Sequence, residues 1–282
     1  MLPNFLYLLA IAFPAGILGA MTGIGGGIIL IPVLTLIGIP IKYAIAASIM
    51  STIATSSGSA SAYVRDRLSN VRIGMYLEMF TVPGAVIGAT IAVVLPTKYD
   101  FILFFSFATV LLLSWWQLLT SKRGSELPFT AKQDRASKWL SLHGVYLDKV
   151  SQKWIYYKAN RALQGGSAMF GVGMIAGLLG IGAGALKVTV MDLIMNMSGK
   201  VSTTTSNFII GVTELAGSSV FIAAGLVNIG IVAPVMIGVT TGAILGTKIL
   251  VKLRNVQVRH LFLVILLSLA VEMILRGAGV LH

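Results

Sequence analysis

Gly23-Ile-Gly-Gly-Gly-Ile28 stands near the start of the chain, and Gly180-Ile-Gly-Ala-Gly-Ala185 repeats it past the midpoint. Each copy interrupts a long apolar stretch, residues 4–39 and 162–198. Glycine costs about 1 kcal/mol relative to alanine inside a helix. An unbroken helix over either stretch would measure about 50 Å or more, against a bilayer core of about 30 Å. Each stretch is therefore expected to be two helical pieces folded back on one another at the glycines. Non-helical backbone at membrane depth is tolerated only where protein or a watery cavity covers its freed polar groups. Two such breaks at matching places in two halves point to a transport site.

The rest of the 282 residues agrees with a chain that lives in lipid. Hydrophobic residues make up 56% and charged residues only 11% of it, where a soluble domain carries about 25% charged. Spans are expected near 41–64, 71–96, 99–120, 200–225, 229–251 and 257–276. The net charge of +12 sits in loops between these spans. It reads as the bias of basic residues toward the cytoplasm and not as a nucleic-acid surface. Cysteine is absent and the three histidines are scattered, so no metal or cofactor motif is present. The start, MLPNFLYLL, lacks the basic opening of a cleaved signal peptide and reads as the first membrane element.

The duplication extends beyond the glycines. At a spacing of 158 residues, Lys42 meets Lys200, Ser48 meets Ser206, Leu68 meets Leu226, Asn70 meets Asn228 and Ile73 meets Ile231. Gly84, Ala85 and Gly88 likewise meet Gly242, Ala243 and Gly246, while the glycine clusters align at 157. The expected organisation is a first transmembrane repeat over 1–120, a linker over 121–161 and a second repeat over 162–282. Each repeat is a glycine-broken, re-entrant hairpin followed by three spans.

Charge sets the orientation. Loop 65–72 holds Arg65, Arg67 and Arg72, whereas its counterpart 225–229 holds no charge. Loop 97–100 holds only Lys98 and Asp100, whereas its counterpart 248–259 holds Lys248, Lys252, Arg254 and Arg259. Basic loops in opposite places imply halves of opposite topology. With 65–72, 121–161 and 248–259 in the cytoplasm, 16 of the 21 basic residues lie inside, and both termini fall outside. Within the linker, Gly144-Val-Tyr-Leu-Asp148 and Lys153-Trp-Ile-Tyr-Tyr-Lys158 read as a small strand pair. Trp139, Trp154, Tyr156 and Tyr157 beside lysines suit a headgroup surface.

Four stretches resemble the sulfite exporter TauE/SafE family, the four-toluene sulfonate uptake permeases. They are Gly23-Ile-Gly-Gly-Gly-Ile-Ile-Leu-Ile-Pro32, Gly180-Ile-Gly-Ala-Gly-Ala-Leu-Lys187, Ser202-Thr-Thr-Thr-Ser-Asn-Phe-Ile-Ile-Gly-Val-Thr213 and Gly242-Ala-Ile-Leu-Gly246. The resemblance implies transport of small sulfur-containing anions such as sulfite, sulfonates and sulfoacetate across the cell membrane. The chain departs from the family pattern at Ala183, where glycine is usual, and at Thr189, where proline is usual. Asp192 replaces a common asparagine and Glu214 a small residue.

The chemistry of these residues suits a small oxyanion. A short helix is expected to begin just after each cluster, near 26–38 and 183–197. Helix N-termini expose free N–H groups and partial positive charge, and glycines let an anion reach them. Gly25, Gly26, Gly27, Gly182, Ala183 and Gly184 are therefore candidate substrate contacts, unless the glycines serve only close helix packing. Lys187 is an ionisable group at membrane depth, a functional candidate by default. It is expected either to neutralise an anion or to pair with Asp192 or Glu214. Ser48, Ser206 and Asn207 offer hydroxyl and amide donors from the following span of each half. Ser51, Thr52 and Thr205 are further such donors. Glu214, Asp192 and Glu78 are candidate proton-coupling groups.

The expected protein is an all-α, polytopic secondary transporter working without cofactor in a lipid bilayer. Its partners are a small sulfur-containing anion and a coupling proton or ion. An anion channel would use the same elements. An enzyme would require a nucleophile and base or a metal cluster, and the sequence offers neither; a scaffold would have no use for two glycine breaks.

Overall fold

The computed structural model describes residues 4–22, 26–65, 68–120, 134–148, 153–250 and 255–280. The fold is predominantly helical. Helix α1 (Phe5–Thr22) precedes the first glycine cluster and α2 (Gly27–Leu36) follows it. Then come α3 (Ile41–Arg65), α4 (Val71–Val94) and, after a short 3-10 turn at Thr97–Tyr99, α5 (Asp100–Thr120). The second half repeats the order with α7 (Ala162–Leu179), α8 (Gly184–Thr189), α9 (Gly199–Ala223), α10 (Ile229–Leu250) and α11 (Asn255–Gly277). Between the halves lie the five-residue α6 (Arg135–Trp139) and an antiparallel hairpin of β1 (His143–Asp148) and β2 (Lys153–Lys158).

Both apolar stretches are broken where glycine accumulates. At the second break the backbone turns left-handed at Gly180 (φ 62°), Gly182 (φ 68°) and Ala183 (φ 46°). Glycine adopts that region freely, and alanine does so at a cost. The expected helix over 183–197 is shorter than its sequence suggests. After Thr189 it widens into a π turn over Val190–Ile194, a form often found at functional positions.

Among the described residues, Val71–Val94, Thr97–Gln117, Ala162–Leu179 and Gly199–Ala223 are long and apolar enough to cross a membrane. Helix α3 matches them in length at 25 residues. Its hydroxyl groups at Ser48, Ser51, Thr52 and Ser56 are all buried, so the polar side of its first two-thirds faces protein, while Ser57 and Ser61 toward its end are exposed. Leu6, Met79, Val94, Trp116, Leu215 and Val264 are among the large apolar side chains left exposed, as expected of a surface that meets lipid.

The helices pack across the two halves more than within them. Helix α1 lies along α10 and α4 along α7, while α3 meets α9 and α5 meets α11. Small residues make these approaches close. Gly84 lies against the Phe170 carbonyl, where a β-carbon would sit 3.0 Å from the Met174 amide nitrogen. Gly242 lies against the Phe13 carbonyl, where a β-carbon would sit 3.1 Å from the Ile17 nitrogen. Gly173 faces the Thr81 backbone and Gly16 faces the Val239 backbone in the same manner. No side chain larger than hydrogen fits at these crossings without separating the helices.

The hairpin is anchored at one end of the bundle. Tyr146 and Tyr157 are buried beneath it, while Trp154 and Tyr156 face outward. Asn70 donates to the Tyr157 hydroxyl at 2.8 Å and to the His143 carbonyl at 3.2 Å. The same Asn70 caps α4 by accepting from the Ile73 N–H at 3.1 Å. The Asn160 N–H donates to the Met195 carbonyl at 2.9 Å, which ties the linker to the end of the second broken hairpin. Linker residues 121–133 and 149–152 and the basic residues Arg67, Lys252 and Arg254 lie outside the described residues.

Candidate functional site

The two glycine breaks meet at the middle of α3. A β-carbon on Gly27 would collide with the Ser48 hydroxyl, and would lie 3.0 Å from the Gly180 carbonyl oxygen and 3.2 Å from Thr52 Oγ1. Ser48 donates to that Gly180 carbonyl at 2.7 Å. A β-carbon on Gly182 would lie 3.2 Å from Thr52 Cγ2 and 3.1 Å from Ile210 Cγ2. One residue, Thr52, therefore touches both tips, and its hydroxyl is buried without a hydrogen-bond partner. Ser206, the counterpart of Ser48, donates to the Gly184 carbonyl at 3.3 Å. Both serines thus fasten the second tip, Ser48 from α3 of the first half and Ser206 from α9 of the second.

Lys187 lies on α8, just past the second tip, and is fully buried at 0% exposure. Its Nζ has no hydrogen-bond partner among the described residues. Its electrostatic neighbours are Glu214 on α9 and, more weakly, Glu78 on α4. Glu214 is 1% exposed, and neither of its carboxylate oxygens finds a close hydrogen bond. Glu214 also feels the Gly182 backbone N–H, which sets it beside the second tip. One oxygen of Glu78 is likewise buried and unpartnered. An unpaired charge in such surroundings costs several kcal/mol, so a cluster with this many unsatisfied polar atoms invites a ligand or a proton.

The remaining candidates distribute themselves around this cluster. Gly26 is buried but faces the Val239 side chain of α10 and the Ala15 carbonyl of α1, so its contacts are with the packing helices. Gly184 and Ala183 are buried at the start of α8. Gly25 lies outside the described residues. Asn207 turns back onto its own helix and donates to the Thr203 carbonyl at 3.0 Å. Asp192, on the π turn, has one buried carboxylate oxygen with no hydrogen-bond partner among the described residues and is not among the groups that act on Lys187. The pairing with Asp192 weighed for Lys187 from sequence thus gives way to Glu214 and Glu78.

Sequence reading overlooked Gln117, whose amide donates to the Thr189 hydroxyl from the end of α5. Thr189 in turn donates to the Ala185 carbonyl at 2.8 Å, so this chain replaces a proline by a residue that ties α8 to α5. A polar amide at the end of an apolar span was the available signal. The Gly180 carbonyl, an acceptor for Ser48, carried no signal in the sequence at all.

The family model for "Sulfite exporter TauE/SafE" matches residues 8–273. The chain belongs to the sulfite exporter TauE/SafE family. A relative in this family's mould is the "Probable membrane transporter protein YunE" of Bacillus subtilis (strain 168). It is 25% identical over 282 residues, covering 97% of this chain and 98% of the relative. No solved structure matches the chain. Family and relative together make this a membrane transporter, with glycine tips and buried charges at the meeting point of its two broken hairpins.

Proposed function

We propose that this family member is a secondary transporter that moves small sulfur-containing anions across the cell membrane by alternating access. The anion binds between the two glycine tips, and Lys187 supplies the positive charge that it needs on leaving water. Sulfite, sulfonates and sulfoacetate-like ions are the substrate class. The observation that carries this reading is the fully buried, unpartnered Lys187 Nζ beside a glycine tip. A lysine is costly at membrane depth, and a small dianion or monoanion is the ligand that would repay its placement. Ser48, Thr52 and Ser206 add hydroxyl donors around the tips.

The proposed architecture is two inverted repeats over 1–120 and 162–282 joined by a cytoplasmic linker. The packing supports it: α1 on α10 becomes α7 on α4 when the halves are exchanged, while α3 on α9 and α5 on α11 map onto themselves. The Gly84–Phe170 and Gly242–Phe13 contacts are also related by that exchange. The basic loops 65–72 and 248–259 favour opposite topology of the halves, with both termini outside. Inverted repeats rocking around a fixed central site are the usual physical basis of alternating access.

The test is flux. Purified protein in liposomes should take up sulfite, thiosulfate, taurine or sulfoacetate with saturation, and internal unlabelled anion should accelerate entry of labelled anion. Lack of saturation and of this counterflow would favour a channel, and no flux of any of the four would overturn the substrate class.

A further inference from the structure

The buried charges around Lys187 carry one step more, which rests on the reading of Lys187 as the anion's counter-charge. Three elements aim ionisable groups at one place: α8 with Lys187, α9 with Glu214 and α4 with Glu78. The other neighbours of α9 add none. Helix α7 contains no ionisable residue. The ionisable residues of α3, namely Lys42, Tyr43, Tyr63 and Arg65, lie at its two ends, and Asp192 on the π turn is not among the groups that act on Lys187 or Glu214. Lys187 and Glu214 are thus each other's foremost charged neighbour, both are buried, and among the described residues no side chain hydrogen-bonds either of them.

We propose that Glu214 is the proton carrier of this transporter, a built-in carboxylate that competes with the substrate anion for Lys187. When the site holds no anion, ionised Glu214 balances the lysine. An arriving sulfonate or sulfite brings a second negative charge into a space that accommodates one. The anion settles on Lys187 only when one proton adds to a Glu214 carboxylate oxygen, giving the neutral acid. On release the anion leaves first, Glu214 gives its proton to water on that side, and the carboxylate returns to Lys187. One proton accompanies each monoanion, so the occupied and empty sites carry the same charge as the halves rock. The Gly182 N–H beside Glu214 couples this exchange to the tip that must move. Glu78, half-buried and the weaker of the two charged neighbours of Lys187, stays outside the exchange.

The test uses the full-length protein and methanesulfonate, which stays a monoanion throughout. Calorimetry between pH 6.5 and 8.5 reads both affinity and, by comparing buffers of different ionisation enthalpy, the protons taken up per anion. The expected wild-type behaviour is uptake approaching one proton per anion, and a Kd that rises up to tenfold per pH unit above the Glu214 titration. Glu214→Gln should bind the sulfonate with little dependence on pH and no proton uptake, while Glu78→Gln keeps the wild-type slope. A wild-type Kd flat in pH with no proton uptake overturns the proposal, and so does a Glu214→Gln protein that keeps the wild-type slope. If Glu214→Gln fails to fold, the wild-type proton count alone decides. Should Lys187→Met lose binding while Glu214→Gln retains full pH dependence, the anion site survives and only the proton carrier is wrong. If wild-type protein binds no sulfonate, or Lys187→Met binds it as wild type does, both fall.

Discussion

The two broken hairpins share a plan and differ in charge. Both end a helix in a glycine cluster and both start a short helix toward α3 or α9, but the two matching serines, Ser48 and Ser206, both donate to carbonyls of the second tip. Yet Leu30 occupies the place that Lys187 takes in the second hairpin, Ser56 the place of Glu214, and Thr35 the place of Asp192. Helix α2 runs ten residues with Pro32 inside it. Its counterpart gives way to a π turn after six, with Thr189 where Pro32 would be. The first hairpin is thus an apolar copy of a scaffold whose second copy carries the charged chemistry. Shared packing preserves the architecture, and the site is written into one half.

The largest effects are expected where the halves are alike. Gly84→Val and Gly242→Val each drive a side chain into a carbonyl of the facing helix. Overpacking costs about 1–3 kcal/mol and more when backbone must move. Both variants should melt well below wild type in detergent, and by similar amounts, because their contacts are the same. A large drop for one and none for the other would break the equivalence of the halves.

A smaller effect is expected where they differ at the loops. Asn70 caps α4 and also holds the hairpin through Tyr157 and His143. Its counterpart Asn228 accepts only a local bond from the Gly230 N–H at 2.9 Å. Loss of a cap costs about 0.5–2 kcal/mol. Asn70→Ala should lie at the upper end or beyond, and Asn228→Ala at the lower end, in thermal melts of the purified variants. Equal shifts would mean that the hairpin contributes nothing to holding this end. Ser69 and Thr204 sharpen the same contrast: Ser69 donates to the Thr204 carbonyl at 2.8 Å, and Thr204 to the Leu68 carbonyl at 3.0 Å. Their counterparts, Val227 and Ala46, have no side chains to do so.

The smallest effect concerns Ala183, buried in the left-handed region at φ 46°. Glycine removes about 1–2 kcal/mol of steric cost there and gives back part of it as chain entropy. Ala183→Gly should therefore raise stability by up to about 1 kcal/mol. A lowered melting temperature would show that the alanine methyl packs well enough to justify the strain.

Much of the architecture was legible because it rests on local patterns. Glycine clusters break helices wherever they occur, and alternating aromatic and polar residues over 143–158 make a hairpin in any context. Glu214 was legible as a neighbour of Lys187 but Glu78 was not, because Glu78 lies over a hundred residues away and only the packing of α4 against α7 and α9 brings it near. The contact of Asn207 was not legible either: it sits in the most distinctive motif of the chain, and its amide donates to the Thr203 carbonyl of its own helix. The π turn escaped notice because its sequence, Val190-Met-Asp-Leu-Ile194, has the composition of an ordinary helix.

The central claim is that a small sulfur-containing anion sits against Lys187, and one titration tests it most directly. Sulfoacetate should be titrated into wild-type, Leu30→Met and Lys187→Met proteins at pH 6.5, with melting temperature recorded on the same samples. Loss of a charged hydrogen bond costs about 1–3 kcal/mol, so Lys187→Met should weaken binding by roughly ten- to a hundredfold while remaining folded. Leu30→Met should bind as wild type does. Wild-type affinity in a folded Lys187→Met protein would contradict the claim and leave Lys187 a structural partner of Glu214.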